Sequence, residues 1–581
     1  MSSLIVELGA IVGAAFAAEA LSEQFGTVQR SDRPDLGQFQ CNGALTAAKK
    51  AGKNPREIAT RVAAHLKANG IFSKIEIAGP GFLNFDVEDA VLADRLSRPD
   101  GAATVAQRPM VIDFGGPNVA KAMHVGHLRS AIIGDCLQRL FRANGWRVTS
   151  DVHLGDWGLQ MGQLISEIGH RDLAPVYFDP SFEGPYPEQS PVSMEDLEEL
   201  YPAGAAACAS DPARLAEARK ATADLQAGRP GYRALWHHFV NVSESGLKRE
   251  YASLGVSFDL WNGESDVDSI IPSMIEDLKR RNLAHMSEGA LVVPVARNTD
   301  RKEMPPLILV KSDGAVTYGT TDLATIIDRV KSHEPELILY VVDQRQSTHF
   351  EQVYRAAELA GFNGRARLEH AGFGTMNGTD GKPFKTRAGG VLKLYDLIRS
   401  ATDEAEKRLT EQGLAADYSA GERAEIARKV AIATIKFADL SNHRTTDYIF
   451  DLARFSRFEG KTGPYLQYAA VRIQSILRKA REDGMVLAEP EIRSQEERAL
   501  ILRLLQLPDI LRAAEDKRAP NILCDYVFAL AQEFSRFYSE HHILSEMDTA
   551  LRAARLGLCQ KTLAAFERVL TILGIEIPER M

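Results

Sequence analysis

Pro117-Asn118-Val119-Ala120-Lys121-Ala122-Met123-His124-Val125-Gly126-His127-Leu128-Arg129-Ser130 puts two imidazoles three residues apart at the start of an amphipathic run. Beyond it Leu128, Ile132, Cys136, Leu137, Leu140 and Phe141 recur at helical spacing. Before it Val111-Ile112-Asp113-Phe114 is a short apolar run of the kind that forms a buried parallel strand. The unit reads strand, Gly-Gly-Pro turn, helix. His124 and His127 then sit one turn apart on one side of a helix N-terminus, where unpaired backbone N–H groups and the helix dipole favour an anion. Gly126 between them has no side chain, which leaves room for a flat adenine or ribose against the backbone. A lone histidine there reads as a cap or a crevice filler; the whole string predicts a nucleotide site.

Working outward, strand-like runs at Val111–Phe114, Val148–Val152, Leu337–Val342 and Leu368–Ala371 alternate with helices between Pro109 and about Ser400. Alternation of this kind predicts a doubly wound, Rossmann-like α/β domain whose ligand crevice lies at the carboxyl ends of parallel strands. The alternation breaks from about 172 to 268 into a Pro-rich acidic stretch followed by helices, read as an insertion. Residues 1–105 read as a separate α+β module, closed by the breaker-rich Pro99-Asp100-Gly101. From about 401 to 581 the apolar periodicity is helical throughout, which predicts an all-α helical bundle. The expected organisation is multidomain: an α+β module at 1–105, the α/β domain at 106–400, and the bundle at 401–581.

A chain of 581 residues and 63.9 kDa is too long for one hydrophobic core. Cys41, Cys136, Cys208, Cys524 and Cys559 are far apart and include no Cys-x-x-Cys pair, so neither a zinc site nor a disulfide framework is expected, in keeping with a reducing cytoplasm. The apolar first twenty residues carry Glu7 and Glu19 and have no preceding Lys or Arg, and read as a domain helix rather than a signal peptide. No run of eighteen apolar residues predicts a membrane span. The net charge of −9 requires any nucleic-acid contact to be local. Gly421 to Arg481, with twelve Lys or Arg against six Asp or Glu, is a candidate RNA-facing region and equally a solvated helix face.

The His-x-Gly-His string resembles the signature of class I aminoacyl-tRNA synthetases, and its flanks resemble the arginyl-tRNA synthetase family. The resemblance extends along nearly the whole chain, through Val152-His153-Leu154-Gly155-Asp156-Trp157-Gly158, Tyr318-Gly319-Thr320-Thr321-Asp322, Gly381-Lys382-Pro383-Phe384-Lys385-Thr386-Arg387, Asp439-Leu440-Ser441 and Gly463-Pro464-Tyr465-Leu466-Gln467-Tyr468. It implies an ATP-dependent ligase that forms arginyl-adenylate and transfers arginine to tRNA, with activation gated by bound tRNA. Under that resemblance His124, His127, Lys121 and Lys385 carry the catalysis, and His124, Gly126, His127, Lys382 and Lys385 bind ATP, with Mg²⁺ entering on the triphosphate and no dedicated protein site. Asp113, Asn118, His124, Tyr318, Asp322 and Gln346 would bind arginine. A planar guanidinium requires carboxylates that accept in fork geometry, which suits the two aspartates. The N-terminal module would touch the elbow of tRNA(Arg), and the bundle its anticodon through Tyr465, Gln467 and Tyr468. The protein is expected to act as a monomer in the cytoplasm, without DNA or membrane partners.

Two departures from the family pattern stand out. Gly115-Gly116 replaces a stretch that usually holds at least one Ser before Pro-Asn, and the mobile Lys-Met-Ser-Lys-Ser loop survives only as Lys382-Pro383-Phe384-Lys385-Thr386. Two other readings remain open at this point. One is a class I synthetase for another amino acid or a related nucleotidylyltransferase, against which the Asp113 and Asp322 pair and the long helical C-terminus count. The other is a non-catalytic RNA-binding protein that kept the fold.

Overall fold

The computed structural model describes residues 3–31, 33, 35–98, 107–121, 123–312, 314–382, 392–414 and 417–581. They form two compact units. One spans 106–457 together with 572–575; the other joins 1–105 to 458–571 and 576–581.

In the first unit four parallel strands stand in the order Arg367–His370, Leu337–Val341, Pro109–Phe114, Arg147–Asp151. They are the four strands read from the sequence. Met110–Phe114 and Leu337–Val341 are buried at every residue, which is why these segments read as unbroken apolar runs instead of alternating ones. The chain passes from Pro109–Phe114 to the strand on one side and later to Leu337–Val341 on the other. Strand order therefore reverses beside Pro109–Phe114, where doubly wound sheets open their ligand crevice. Asp113, near the carboxyl end of that strand, stands in register with Tyr340 on one side and Asp151 on the other.

The insertion between the two halves holds the helices Met194–Ser210, Pro212–Gln226 and Pro230–Ser253. It is followed by a small antiparallel sheet of His285–Ser287, Ala290–Val293 and Leu307–Val310. Strands of three or four residues are too short to set up a readable alternation, and the sequence reading missed this sheet.

The break expected near residue 401 lies elsewhere: the unit continues to Arg457. Helices Leu394–Glu411 and Ala420–Leu440 pack on Val125–Ala143, the helix that follows the histidines. Buried ion pairs hold the second of them there. Arg129 Nε donates to Asp439 Oδ2 at 3.0 Å, Tyr448 Oη donates to the same oxygen at 3.0 Å, and Lys436 Nζ lies 3.3 Å from Asp135 Oδ2. Helical periodicity cannot tell which core a helix serves. Asp439→Asn, which leaves the Arg129 guanidinium buried without its counter-charge, is expected to lower stability by about 3–5 kcal/mol. Urea unfolding checks this, and a loss below about 1 kcal/mol would mean that the pair is expendable.

In the second unit an antiparallel sheet runs Val28–Arg30, Phe39–Cys41, Phe82–Val87, Phe72–Ala78. Phe39 and Phe85 stack across it at 6.3 Å, and Phe72 meets Phe85 edge-on at 4.8 Å. The first apolar run is the helix Leu4–Ala18, which buries Leu4, Leu8, Val12 and Phe16 on one stripe. Helices Gly463–Glu482, Gln495–Leu504, Leu507–Lys517, Asn521–Glu540 and Thr549–Ile572 complete the unit. Arg498 joins the two parts by donating to Val87 O at 2.7 Å and Gln38 Oε1 at 3.1 Å. Among the described residues no helix is long and apolar enough to cross a membrane.

Candidate active site

His124 is the N-cap of helix Val125–Ala143, with extended backbone at φ −128° and ψ 168°. Its Nδ1 accepts from the Gly126 N–H at 3.0 Å, while His127 Nδ1 accepts from the His124 N–H at 3.3 Å. The two rings lie 4.0 Å apart. This reciprocal cap uses two orphan donors of the helix start. It also fixes the chemistry: a nitrogen that accepts is unprotonated, so each neutral ring carries its proton on Nε2. Gly126 is required for a further reason that the sequence did not show. A Cβ there would lie 2.7 Å from His124 Cε1 and push the ring out of its cap.

Burial, reinforced by the Lys121 charge, lowers His124 below the ordinary histidine value. Burial, His124 and Lys121 together push His127 down to about 3. Both rings are neutral N–H donors at physiological pH. For the free protein, kcat/KM for the nucleotide should therefore show no histidine limb between about pH 6.5 and 8.5. A limb in that window that disappears in His127→Ala would contradict the arrangement.

The turn before the helix is shaped by its glycines. Gly115 has φ +93°, and a Cβ on it would fall 2.5 Å from Tyr251 Oη. Its N–H donates to Ser130 Oγ at 2.8 Å, and Ser130 Oγ donates to Val341 O at 2.6 Å. Tyr251 thus fills the space that a serine at 115 would need. Gly116, at φ +41°, is exposed and has no neighbour within 3.5 Å of an added Cβ. Asn118 is exposed beside Gly155, where a Cβ would meet Asn118 Oδ1 at 2.3 Å. Farther along, the Ala120 N–H donates to Ser243 Oγ at 2.8 Å and the Met123 N–H to Glu250 Oε2 at 3.1 Å.

Carboxylates gather on the other side. Helix Tyr318–His333, capped by Thr317, carries Tyr318, Asp322, Thr325 and Arg329 on one face at helical spacing. Asp322 lies inside this helix rather than at its cap, and its Oδ2 is 2.6 Å from His349 Nε2. Tyr318 is 62% exposed. Asp113 does not stand free. Arg329 Nη2 donates to Asp113 Oδ2 and to Asp151 Oδ2, both at 2.7 Å. Gln346, exposed, closes a short turn after the central strand. Asp113 and Asp322 both act electrostatically on Tyr340 and Tyr354, so they belong to one cluster.

Three further members escaped the sequence reading. Burial raises Glu264 to about 7 against the pull of His153, with Asp156 and Asp322 adding to the rise. His153, held at φ +45°, contacts Asp151 through its backbone N–H at 3.3 Å. Arg329 is 2% exposed. A charged residue on the buried face of an amphipathic helix was the readable signal for Arg329; Glu264 lies on a short 3₁₀ turn with no periodicity to mark it.

The remaining sites divide clearly. Lys121 is half-buried and acts on both histidines. Lys382 is exposed, with its N–H on Asp380 Oδ1 at 3.0 Å; Lys385 lies outside the described residues. Tyr465, Gln467 and Tyr468 belong to the other compact unit. Of these, Gln467 departs from the expectation: it is fully buried and its Nε2 donates to Glu576 O at 2.7 Å, a core role that helical spacing alone does not distinguish from RNA contact. Tyr465 packs edge-on against Phe528, and half-buried Tyr468 accepts from Arg472 at 3.2 Å. Among the described residues no group of three or more His, Cys, Asp or Glu forms a candidate metal site.

Comparison with known proteins places this geometry in context. Residues 87–452 match the family described as tRNA synthetases class I (R), catalytic domain; 6–87 match the arginyl tRNA synthetase N terminal domain, and 466–581 the DALR anticodon binding domain. The chain is 53% identical to the arginine–tRNA ligases of Hyphomonas neptunium and of Maricaulis maris, in each case over all of both chains. The arginyl-tRNA synthetase structure from Plasmodium falciparum superposes over the full length of both chains with a TM-score of 0.82 at 24% identity, which speaks to the fold.

Proposed function

The chain belongs to the arginyl-tRNA synthetase family, and from that premise we propose that it is an arginine–tRNA ligase whose active site is the crevice just described. The observation that carries the site assignment is the pair of neutral histidines capping the N-terminus of the helix that follows the central strand Pro109–Phe114, which bears Asp113.

No protein nucleophile is needed. The arginine carboxylate attacks the α-phosphorus of ATP in line, an O–P bond forms, and the bond to pyrophosphate breaks. The protein positions the reactants and meets the charge on the phosphates. His124 and His127 donate from Nε2–H to phosphate or ribose oxygens, and Lys121 adds positive charge beside them. By the resemblance of the Gly-rich loop, Lys385 would act on the pyrophosphate and Lys382 would bind ATP beside it. Mg²⁺, entering with the triphosphate, would neutralise phosphate charge. Asp322 and Asp113 accept from the guanidinium of arginine with Tyr318 beside them, while Asn118 and Gln346 accept from the α-ammonium. A terminal ribose hydroxyl of tRNA(Arg) then attacks the arginyl carbonyl, an ester forms, and AMP leaves as the acyl–phosphate bond breaks. Tyr465 and Tyr468 present rings of the kind that stack on unpaired bases. We place the protein in the cytoplasm, in keeping with its five free, buried cysteines, and expect it to act as a monomer.

Activation is proposed to wait for tRNA. Arginine-dependent exchange of pyrophosphate into ATP should appear with cognate tRNA and be absent without it. Exchange without tRNA would keep the ligase and remove the gating. A preference for lysine or glutamine would overturn the arginine assignment, and tRNA binding without exchange under either condition would favour the binding-only reading.

A further inference from the structure

The buried Arg329 bridge is asymmetric. One nitrogen, Nη2, serves both Asp113 and Asp151, while Nε and Nη1 are buried without a hydrogen-bond partner. Buried between two carboxylates, the guanidinium is their shared counter-charge, yet it spends a single nitrogen on both and leaves the second oxygen of Asp113 without a bond from it. Its position is specific: it is the last member of the face that carries Tyr318, Asp322 and Thr325. Asp113, whose side chain is only 11% exposed, receives Arg329 on Oδ2 alone.

We propose that Arg329 is a positioning residue for arginine selection, which keeps the Asp113 carboxylate ionised and aimed so that its other oxygen can receive the guanidinium of the substrate. This rests on the reading of the crevice as an arginine site. The charged groups that act on Asp113 are Arg329 from helix Tyr318–His333 and Asp151 and His153 from the neighbouring strand and its turn, while Tyr340 from the central strand and Tyr354 from the helix after it feel both Asp113 and Asp322. Burial raises Asp113, and Arg329 and then His153 oppose the rise, whereas Asp151 adds to it. Two carboxylates that share a dry site cannot both stay ionised without a cation between them. Without Arg329, Asp113 takes up a proton and its acceptor strength toward arginine falls.

The sign of the pH effect follows. With the cation gone the ionised, arginine-accepting form of Asp113 returns only as pH rises, so the arginine KM should be high at low pH and fall toward high pH. In Arg329→Gln we expect the arginine KM at neutral pH to rise about ten- to hundredfold. It should recover severalfold by about pH 9, with the ATP KM within about twofold of the parent. Arg329→Lys keeps the charge and loses the fork. It should raise the arginine KM about tenfold with no new pH dependence. Arginine titration of each variant by calorimetry supplies a readout separate from turnover. An unchanged arginine KM and pH profile in Arg329→Gln overturns the proposal, as does an equal rise of both substrate KM values. If Arg329→Gln does not fold, Arg329→Lys decides by the same split between the two KM values. A parent protein without arginine-dependent exchange would instead overturn the functional reading itself.

Discussion

His124→Ala should lower tRNA-supported pyrophosphate exchange by about 10²–10³-fold, the usual consequence of removing one donor aimed at transition-state charge. Two effects combine in this substitution. The ring supplies an Nε2–H to the phosphates, and its Nδ1 caps the helix by accepting from the Gly126 N–H. Loss of a cap costs about 1 kcal/mol of stability and lets the first turn fray. His124→Asn separates the two, because asparagine is also a good cap but cannot place a donor where the imidazole Nε2 stands. Stability should return in that variant while most of the activity loss remains. If His124→Asn recovered activity along with stability, the ring would be a cap and no more. His127 should behave similarly, since its Nδ1 receives the His124 N–H and its ring packs 4.0 Å from that of His124.

How much of this could be read beforehand depends on what kind of pattern each residue belongs to. The four central strands were readable because burial on both faces makes a strand a continuous apolar run, and the order of runs around Asp113 then locates the crevice. The histidine pair was readable because a helix start has strict local geometry. Its reciprocal cap was not, since two rings at that spacing are equally compatible with pointing apart. Arg329 shows the limit more sharply. Its partners Asp113 and Asp151 come from two different strands, far away in sequence, and only the parallel register brings them within reach of one nitrogen. The same limit applies to the helix Ala420–Leu440: its periodicity is genuine, but Arg129–Asp439 and Lys436–Asp135, which tie it to the helix after the histidines, are long-range pairs. Gln467 failed for the opposite reason, as local sequence likeness outweighed a helical position that points into the core.

Asp322→Asn should reduce kcat/KM for arginine by about 10³-fold, roughly 4 kcal/mol, and leave the ATP KM nearly unchanged. The substitution is isosteric, and the amide oxygen can still accept from His349, which now lies 2.6 Å from Asp322 Oδ2. What is lost is the charge and one of two acceptors. A guanidinium offers parallel N–H donors, so a carboxylate meets it with two charge-assisted bonds, while an amide meets it with one neutral bond and turns an N–H toward it. The penalty falls on arginine alone, because Tyr318 and Asp322 lie on a different helix from the nucleotide-binding turn. Citrulline, which replaces the guanidinium by a neutral urea of the same shape, gives the sharper readout. The parent should prefer arginine strongly, and Asp322→Asn should erase most of that preference by weakening arginine rather than by improving citrulline. Glu264, close enough to feel the Asp322 charge, retains some attraction for a cation, so the residual preference should disappear only when Glu264→Gln is added. A single Asp322→Asn change that raised both substrate KM values together would point to a disturbed helix in place of a lost acceptor. A variant that kept its arginine preference would place the specificity elsewhere in the crevice.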